Sequence, residues 1–152
     1  MGYVILVNKC PIVWGSSLMN DVCMSTMMAE YYALSYAMRE VLPVRDLVKA
    51  LAPRFGFDSR LSTQFKSVVH EDNTGCLTLA HLEPGRDTPR SKFYDSKIHW
   101  FRQHLHPDDD SSETDGPITV VKIDTKQQIA DIFTKPLPRP DFERLRDLLK
   151  GW

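Results

Sequence analysis

Three acidic residues stand in sequence contexts where a carboxylate could take part in chemistry. Glu30 falls about one turn into a predicted helix, Asp72 ends a short apolar strand pattern, and Asp131 lies between apolar residues near a predicted helix start. A buried or half-buried acid is costly unless it is paired or bound to a metal ion. Each acid could equally be a helix cap or a surface residue, so residue types alone leave a shared site open.

The elements that must position these acids follow a recognisable order. Apolar periodicity predicts strands first, as a meander, and then strands that alternate with helices. This order is typical of an α/β fold, with a mixed sheet flanked by helices. The predicted strands cover residues 2–7, 11–14, 22–24, 66–72 and 118–123, and the predicted helices cover 27–51, 73–82, 92–105, 126–133 and 139–150.

The length of 152 residues predicts a single domain over 1–152. Within it we expect hairpin strands over 1–25, a helix over 26–52, a strand and helices over 66–105, an acidic loop over 106–116, and a last strand with C-terminal helices over 117–152. Pro43 falls inside the first helical pattern and predicts a kink there, or a split with a second piece from Val44 to Leu51.

Composition excludes several classes of protein. With 19 Lys and Arg against 20 Asp and Glu, bulk positive charge cannot drive nucleic-acid binding, although a local basic groove can. The longest apolar run is far shorter than the ~20 residues of a membrane-spanning helix, and no secretory signal is visible. The three cysteines lack the spacing of a disulfide framework or a zinc site. We therefore expect an intracellular protein, cytoplasmic or nuclear, with no membrane partner and no small-molecule cofactor.

Five segments, in chain order, match the pattern of one known family. The most specific, 128–137, reads Q-I-A-D-I-F-T-K-P-L against the family pattern Q-x-A-D-I-F-T-K-P-L. Residues 25–35 read S-T-M-M-A-E-Y-Y-A-L-S against S-T-x-x-A-E-Y-x-A-L-S, and 70–73 read H-E-D-N against C-D-N or E-D-N. Residues 2–14 and 90–102 are similar to a family hairpin and a basic helix. Over nearly its whole length the chain resembles the RNase H domain of Ty1/copia-type retrotransposon polyproteins.

This resemblance implies an RNase H-like fold that cleaves the RNA strand of an RNA–DNA hybrid during reverse transcription. The family chemistry is hydrolysis assisted by two Mg²⁺ (or Mn²⁺) ions about 3.5–4 Å apart, and Mg²⁺ prefers carboxylate ligands. Carried over position by position, Glu30, Asp72 and Asp131 would be three of the four catalytic, metal-binding acids.

The resemblance also suggests residues that could contact the nucleic acid. Arg90, Lys92, Lys97, His99 and Arg102 match the basic helix of the family and could bind phosphates of the hybrid. A solvated helix face explains the same residues equally well.

The chain departs from the family pattern at its start. In the family, a strand upstream of the G-Y-V segment carries the first catalytic Asp, whereas this chain has no Asp or Glu before Asp21. We therefore expect an incomplete fold in which the acid shared by both metal ions is missing. Each 1.36 kcal/mol of lost stabilisation costs a factor of ten in rate, so we expect the chain alone to be inactive or nearly so. Loss of a central strand also leaves its two neighbours with open edges that can pair with another chain.

Smaller departures from the family pattern also favour a chain that is inactive or nearly so. Met28 stands where many relatives have an acid, Pro43 interrupts a helix, Phe93 replaces the usual His, and the acidic segment after His106 resembles an insertion.

Two other functions remain open from the sequence. The chain could be the active C-terminal part of a longer copia-type polyprotein whose upstream, reverse transcriptase segment supplies the missing Asp. It could also be a remnant that binds nucleic acid or a protein partner without catalysis.

Overall fold

In a computed structural model, the described residues are 1–20, 22–56, 66–89, 91, 98–105 and 118–151. The chain begins with an antiparallel hairpin of β1 (Gly2–Val7) and β2 (Cys10–Ser16), in which Val7 pairs with Cys10. The two-residue turn between them, Asn8-Lys9, has positive φ angles of 49° and 66°. Such turns match the twist of paired strands, and Asn tolerates this backbone region well.

One long helix, α1 (Thr26–Leu51), follows the hairpin. Ser25 caps it, because its side chain accepts the backbone N–H of Met28 at 3.1 Å. The helix continues through Pro43, so the predicted split at this residue is wrong. Buried side chains flank the proline on both sides, Met38 before it and Arg45 after it. Their packing keeps the helix in one piece although Pro43 removes a backbone donor.

A second pair of strands lies beyond α1. β3 (Ser67–Glu71) runs parallel to β4 (Ile118–Lys122), with Ser67 opposite Ile118 and Glu71 opposite Lys122. The short helix α2 (Thr74–Ala80) begins directly after β3. Asn73 caps α2 by accepting the backbone N–H of Cys76 at 3.0 Å. Asp72 therefore lies at the carboxyl end of β3, between the strand and the helix.

The remaining elements are short except for the last. Within the described residues they are 3-10 helices at Ala52–Phe55, Thr125–Gln127 and Ile129–Phe133, a one-turn helix α3 (Arg102–Leu105), and the C-terminal helix α4 (Arg139–Lys150). The helix predicted over 126–133 is thus two 3-10 turns.

Two further predictions about elements are corrected. Residues 22–24 form no strand, and the side chains of Val22 and Met24 are 90% and 80% exposed. Within 98–105 only Arg102–Leu105 is α-helical. Residues 92–97 of that predicted helix, Phe93 among them, and the acidic segment 106–116 lie outside the described residues.

The predicted fold class is confirmed, since strands and helices mix as expected for an incomplete RNase H-like α/β fold. In the part of the chain that the structure describes, the strands form two separate sheets, β1–β2 and β3–β4. No helix of the described residues is long and apolar enough to cross a membrane.

The core lies where one face of α1 packs against α2, β4 and the segment from Ile98 to Phe101. A polar pair is enclosed in it. Arg102 is only 1% exposed and donates Nε–H to the Tyr31 hydroxyl at 2.8 Å and an Nη1 proton to the Arg86 carbonyl at 2.7 Å. Burial raises the pKa of Tyr31 to about 12, so this hydroxyl stays protonated at neutral pH.

We expect Tyr31→Phe to lower the free energy of unfolding by about 1–3 kcal/mol, because it leaves the Nε–H of the buried Arg102 without its acceptor. Tyr36→Phe, at a more exposed position of the same helix, should change stability by less than about 0.5 kcal/mol. Urea denaturation followed by circular dichroism measures both. Equal losses in the two variants would show that the Tyr31 hydroxyl has no special role.

Candidate functional site

The three predicted acids lie along one cleft. Glu30 comes from the start of α1, Asp72 from the end of β3, and Asp131 from the 3-10 helix Ile129–Phe133. All three line a cleft of about 600 Å³ between β1 and β3. The structure thus brings together acids that are far apart along the chain, and their catalytic and metal-binding roles stay predictions.

The negative charges of Asp72 and Asp131 act on Glu30. The pKa of Glu30 is raised by partial burial and then by the negative charges of Asp72 and Asp131. Two positive charges, on Lys135 and on the amino terminus of Met1, act in the opposite direction. Glu30, Asp72 and Asp131 therefore lie near enough along the cleft for their charges to act on Glu30, and these three residues are here called the acid cluster.

Lys135 is the main cation of the acid cluster. Its Nζ lies 2.8 Å from Oδ2 of Asp131, whose side chain is 13% exposed. The hydrogen bond to Asp131 raises the pKa of Lys135, and the charges of Asp72 and Glu30 raise it further. The sequence prediction did not include Lys135, although its position four residues after Asp131 is the spacing of a helical ion pair.

Glu71 is a fourth acid that the sequence prediction missed. It is 6% exposed and accepts the backbone N–H of Asn73 at 2.9 Å. Burial raises its pKa to about 7, and the charges of Glu30 and Asp72 add to the shift while the Asn73 hydrogen bond opposes it. Glu71 therefore keeps its proton to a higher pH than an ordinary glutamate and is only partly ionised near neutral pH.

The donor chemistry of the acid cluster is right for Mg²⁺, which binds carboxylate oxygens. However, among the described residues no three His, Cys, Asp or Glu side chains are grouped so that they could hold a metal ion. Asp131 is already paired with Lys135. Asp72 and Asp131 are thus near enough to raise the pKa of Glu30, but as arranged the three acids do not form a ligand set that fits Mg²⁺.

Of the five residues predicted to contact phosphates, only His99 and Arg102 are among the described residues. Arg90, Lys92 and Lys97 lie outside the described residues. Arg102 is enclosed in the core by its bonds to Tyr31 and Arg86, which corrects the expectation that it faces a nucleic acid. His99 is half-buried, with Nδ1 3.0 Å from the Tyr31 hydroxyl and Nε2 3.8 Å from Oδ1 of Asp87.

The fold and site together define an α/β protein with an acidic cleft, and similarity to known proteins gives its origin. The chain is 28% identical over 148 residues to the Retrovirus-related Pol polyprotein from transposon TNT 1-94 of Nicotiana tabacum. It is 26% and 27% identical over 142 residues to the corresponding polyproteins from transposons RE2 and RE1 of Arabidopsis thaliana. These matches cover 93–97% of this chain but only 8–10% of the relatives.

Those homologues support an origin in a retrotransposon Pol polyprotein. No protein-family model and no solved structure matches the chain.

We expect Glu71→Gln to change how stability depends on pH. The folded chain binds the Glu71 proton more tightly than the unfolded chain, because the pKa is about 7 rather than 4.5. Stability should therefore fall as pH rises from about 4.5 to about 7, by up to ~3 kcal/mol, and then level off. Glu71→Gln should remove this fall and raise stability at pH 8, because the amide oxygen can still accept the Asn73 N–H.

Urea denaturation between about pH 4 and pH 8 measures this dependence. Glu83→Gln is the matched control, since the side chain of Glu83 is 76% exposed and this variant should keep the wild-type pH dependence. An unchanged pH dependence in Glu71→Gln would mean that the carboxyl is not the titrating group.

Proposed function

We propose that this chain is an RNase H-like domain from a copia-type retrotransposon Pol polyprotein, with little or no nuclease activity as it stands. The observation that carries the proposal is the convergence of Glu30, Asp72 and Asp131 on one cleft. These are the positions that the resemblance assigns to the catalytic acids. Similarity to Pol polyproteins over 93–97% of the chain supports the same origin.

The ancestral reaction would be hydrolysis of the RNA strand of an RNA–DNA hybrid with two Mg²⁺ or Mn²⁺ ions. Three features of the acids that line the cleft favour inactivity in this chain. The acids are not grouped as a ligand set, Lys135 neutralises Asp131, and Glu71 is only partly ionised at neutral pH.

A second candidate function is favoured by the small share of its relatives' length that this chain covers. The chain spans 8–10% of the length of the Pol polyproteins that it resembles. In a polyprotein of that kind, an upstream segment could supply a further acid to the cleft. The domain would then be the active C-terminal part of a larger enzyme.

A cleavage assay on an RNA–DNA hybrid with Mg²⁺ or Mn²⁺ separates the two candidates. We compare this chain, a version extended at its N-terminus by the first strand of the family, and Asp72→Asn in the extended version. We expect no cleavage by the chain alone. Cleavage by the extended version that is lost in Asp72→Asn would support the second candidate.

The matched control is Asp46→Asn in the extended version, because Asp46 lies on an exposed face of α1 away from the cleft. This variant should keep whatever activity the extended version has. Cleavage by the chain alone that disappears when Asp72→Asn is made in that same unextended chain would overturn the proposal of inactivity.

A further inference from the structure

Asp131 and Lys135 lie on one turn of backbone. The backbone N–H groups of Thr134 and Lys135 both donate to the Asp131 carbonyl, each at 3.2 Å. This turn closes the 3-10 helix Ile129–Phe133 and places the acid four residues before the base, which is the favourable order for an ion pair on a helix. The contact of 2.8 Å between Nζ of Lys135 and Oδ2 of Asp131 therefore follows from the local backbone.

The N-terminal hairpin holds this turn in place. The Ser16 hydroxyl, at the end of β2, donates to the Phe133 carbonyl at 2.6 Å. Gly2, at the start of β1, packs so closely that a Cβ atom there would lie 2.7 Å from Cβ of Phe133 and 2.8 Å from Cγ2 of Thr134. Contacts from two strands thus fix the backbone from which Lys135 reaches its partner.

The ammonium group of Lys135 acts on all three members of the acid cluster. It contacts Asp131, and its charge lowers the pKa of Glu30. The charge of Asp72 in turn raises the pKa of Lys135. The side chain of Asp131 is 13% exposed, so water screens its carboxylate less than it would at an open surface. Lys135 therefore offsets part of the repulsion among the three carboxylates.

A divalent ion bound to the acid cluster would need the position that this ammonium group holds. Mg²⁺ binds carboxylate oxygens, and Oδ2 of Asp131 already accepts a hydrogen bond from Lys135. Two cations at one oxygen repel each other. Among the residues that the structure describes, the acids are not grouped as a metal ligand set, whereas a lysine contacts one of them. The chain therefore supplies a cation of its own at this site.

The contact between Lys135 and Asp131 can open without unfolding of the chain. The side chain of Lys135 is 47% exposed, and its ammonium group is carried on a flexible four-carbon stem. Rotation of that stem moves the charge into water while the backbone turn stays in place. The ion pair is therefore a reversible contact and not a part of the core.

We propose that Lys135 is the resident cation of the acid cluster, in the position at Asp131 where a divalent ion would bind. Its ammonium group stabilises the three acids in their shared cleft when no metal ion is bound. A divalent ion binds to these acids only when Lys135 is removed or displaced. The inference rests on the proposed function, because the resemblance assigns a metal to these acids, but its tests measure stability and metal binding instead of cleavage.

Removal of the ammonium group tests the stabilising role. Lys135→Met keeps most of the stem without its charge, and in metal-free buffer it should lower Tm by about 2–4 °C. Lys135→Arg keeps the charge and should lose less than half of that. The matched control is Lys126→Met, at an exposed lysine of another 3-10 helix, which should stay within about 1 °C of wild type. Thermal unfolding followed by circular dichroism measures all three variants, and equal losses in Lys135→Met and Lys126→Met would overturn the proposal.

Titration with MgCl₂ and MnCl₂ tests the competition, with ionic strength held constant by KCl so that general screening does not contribute. Each ion should raise the Tm of Lys135→Met and leave that of wild type nearly unchanged, because only the variant has the Asp131 oxygen open to a metal. Loss of the electron paramagnetic resonance signal of unbound Mn²⁺ measures binding directly. The affinity of Lys135→Met for Mn²⁺ should be at least about tenfold higher than that of wild type, and equal affinities would refute the proposal.

A double variant locates the bound ion. Lys135→Met combined with Asp131→Asn should lose the Mn²⁺ binding that Lys135→Met gains, and retained binding would place the ion elsewhere and contradict the proposal. If Lys135→Met does not fold in metal-free buffer, recovery of the folded spectrum with MgCl₂ but not with KCl supports the proposal, and no recovery contradicts it.

The outcome for the proposed function is separate. Cleavage by the extended version, together with unchanged Mn²⁺ binding in Lys135→Met, would keep the RNase H-like assignment and reject the role of Lys135. Absence of cleavage in every version, together with Mn²⁺ binding gained by Lys135→Met, would do the reverse.

Discussion

The packing of α1 on the layer made by α2 and β4 is the interaction on which the rest of this structure depends. Tyr31, Leu34 and Met38 are nearly inaccessible on one face of the helix. Their burial fixes the direction of α1, and with it the positions of Glu30 at one end and Arg45 at the other. A neighbouring face of the same helix forms the floor of the cleft. One helix therefore sets both the core and the geometry of the site.

The acid cluster illustrates how a fold tolerates like charges at close range. Mutual repulsion and partial burial both disfavour ionised carboxylates. Two features of this chain reduce the resulting cost. Lys135 and the amino terminus of Met1 bring positive charge to the cluster. Glu71 holds its proton to about pH 7 instead of ionising fully. These responses lower the net negative charge where the strand edges and α1 meet.

Local signals in the sequence predicted much of this arrangement. The hairpin strands over 2–7 and 11–14, the start of the first helix near residue 26 and the acid at the end of β3 all depend on near neighbours, and the structure shows each of them. The continuation of α1 through Pro43 and the burial of Arg102 could not be predicted from local signals. Packing with distant segments decides whether a helix continues and whether a guanidinium is enclosed. Glu71 was missed for the same reason, since its burial arises only when α2 folds over the end of β3.

Lys135 also bears on what the convergence of the acids means. A divalent cation and an ammonium group both relieve repulsion among carboxylates, and at Asp131 they would compete for the same oxygens. Because Lys135 is part of the chain, it is present at a fixed high local concentration, whereas a metal ion must be drawn from solution. The acid cluster can therefore be stable without a metal ion. The convergence of the three acids is therefore not by itself a sign that this chain binds a metal ion.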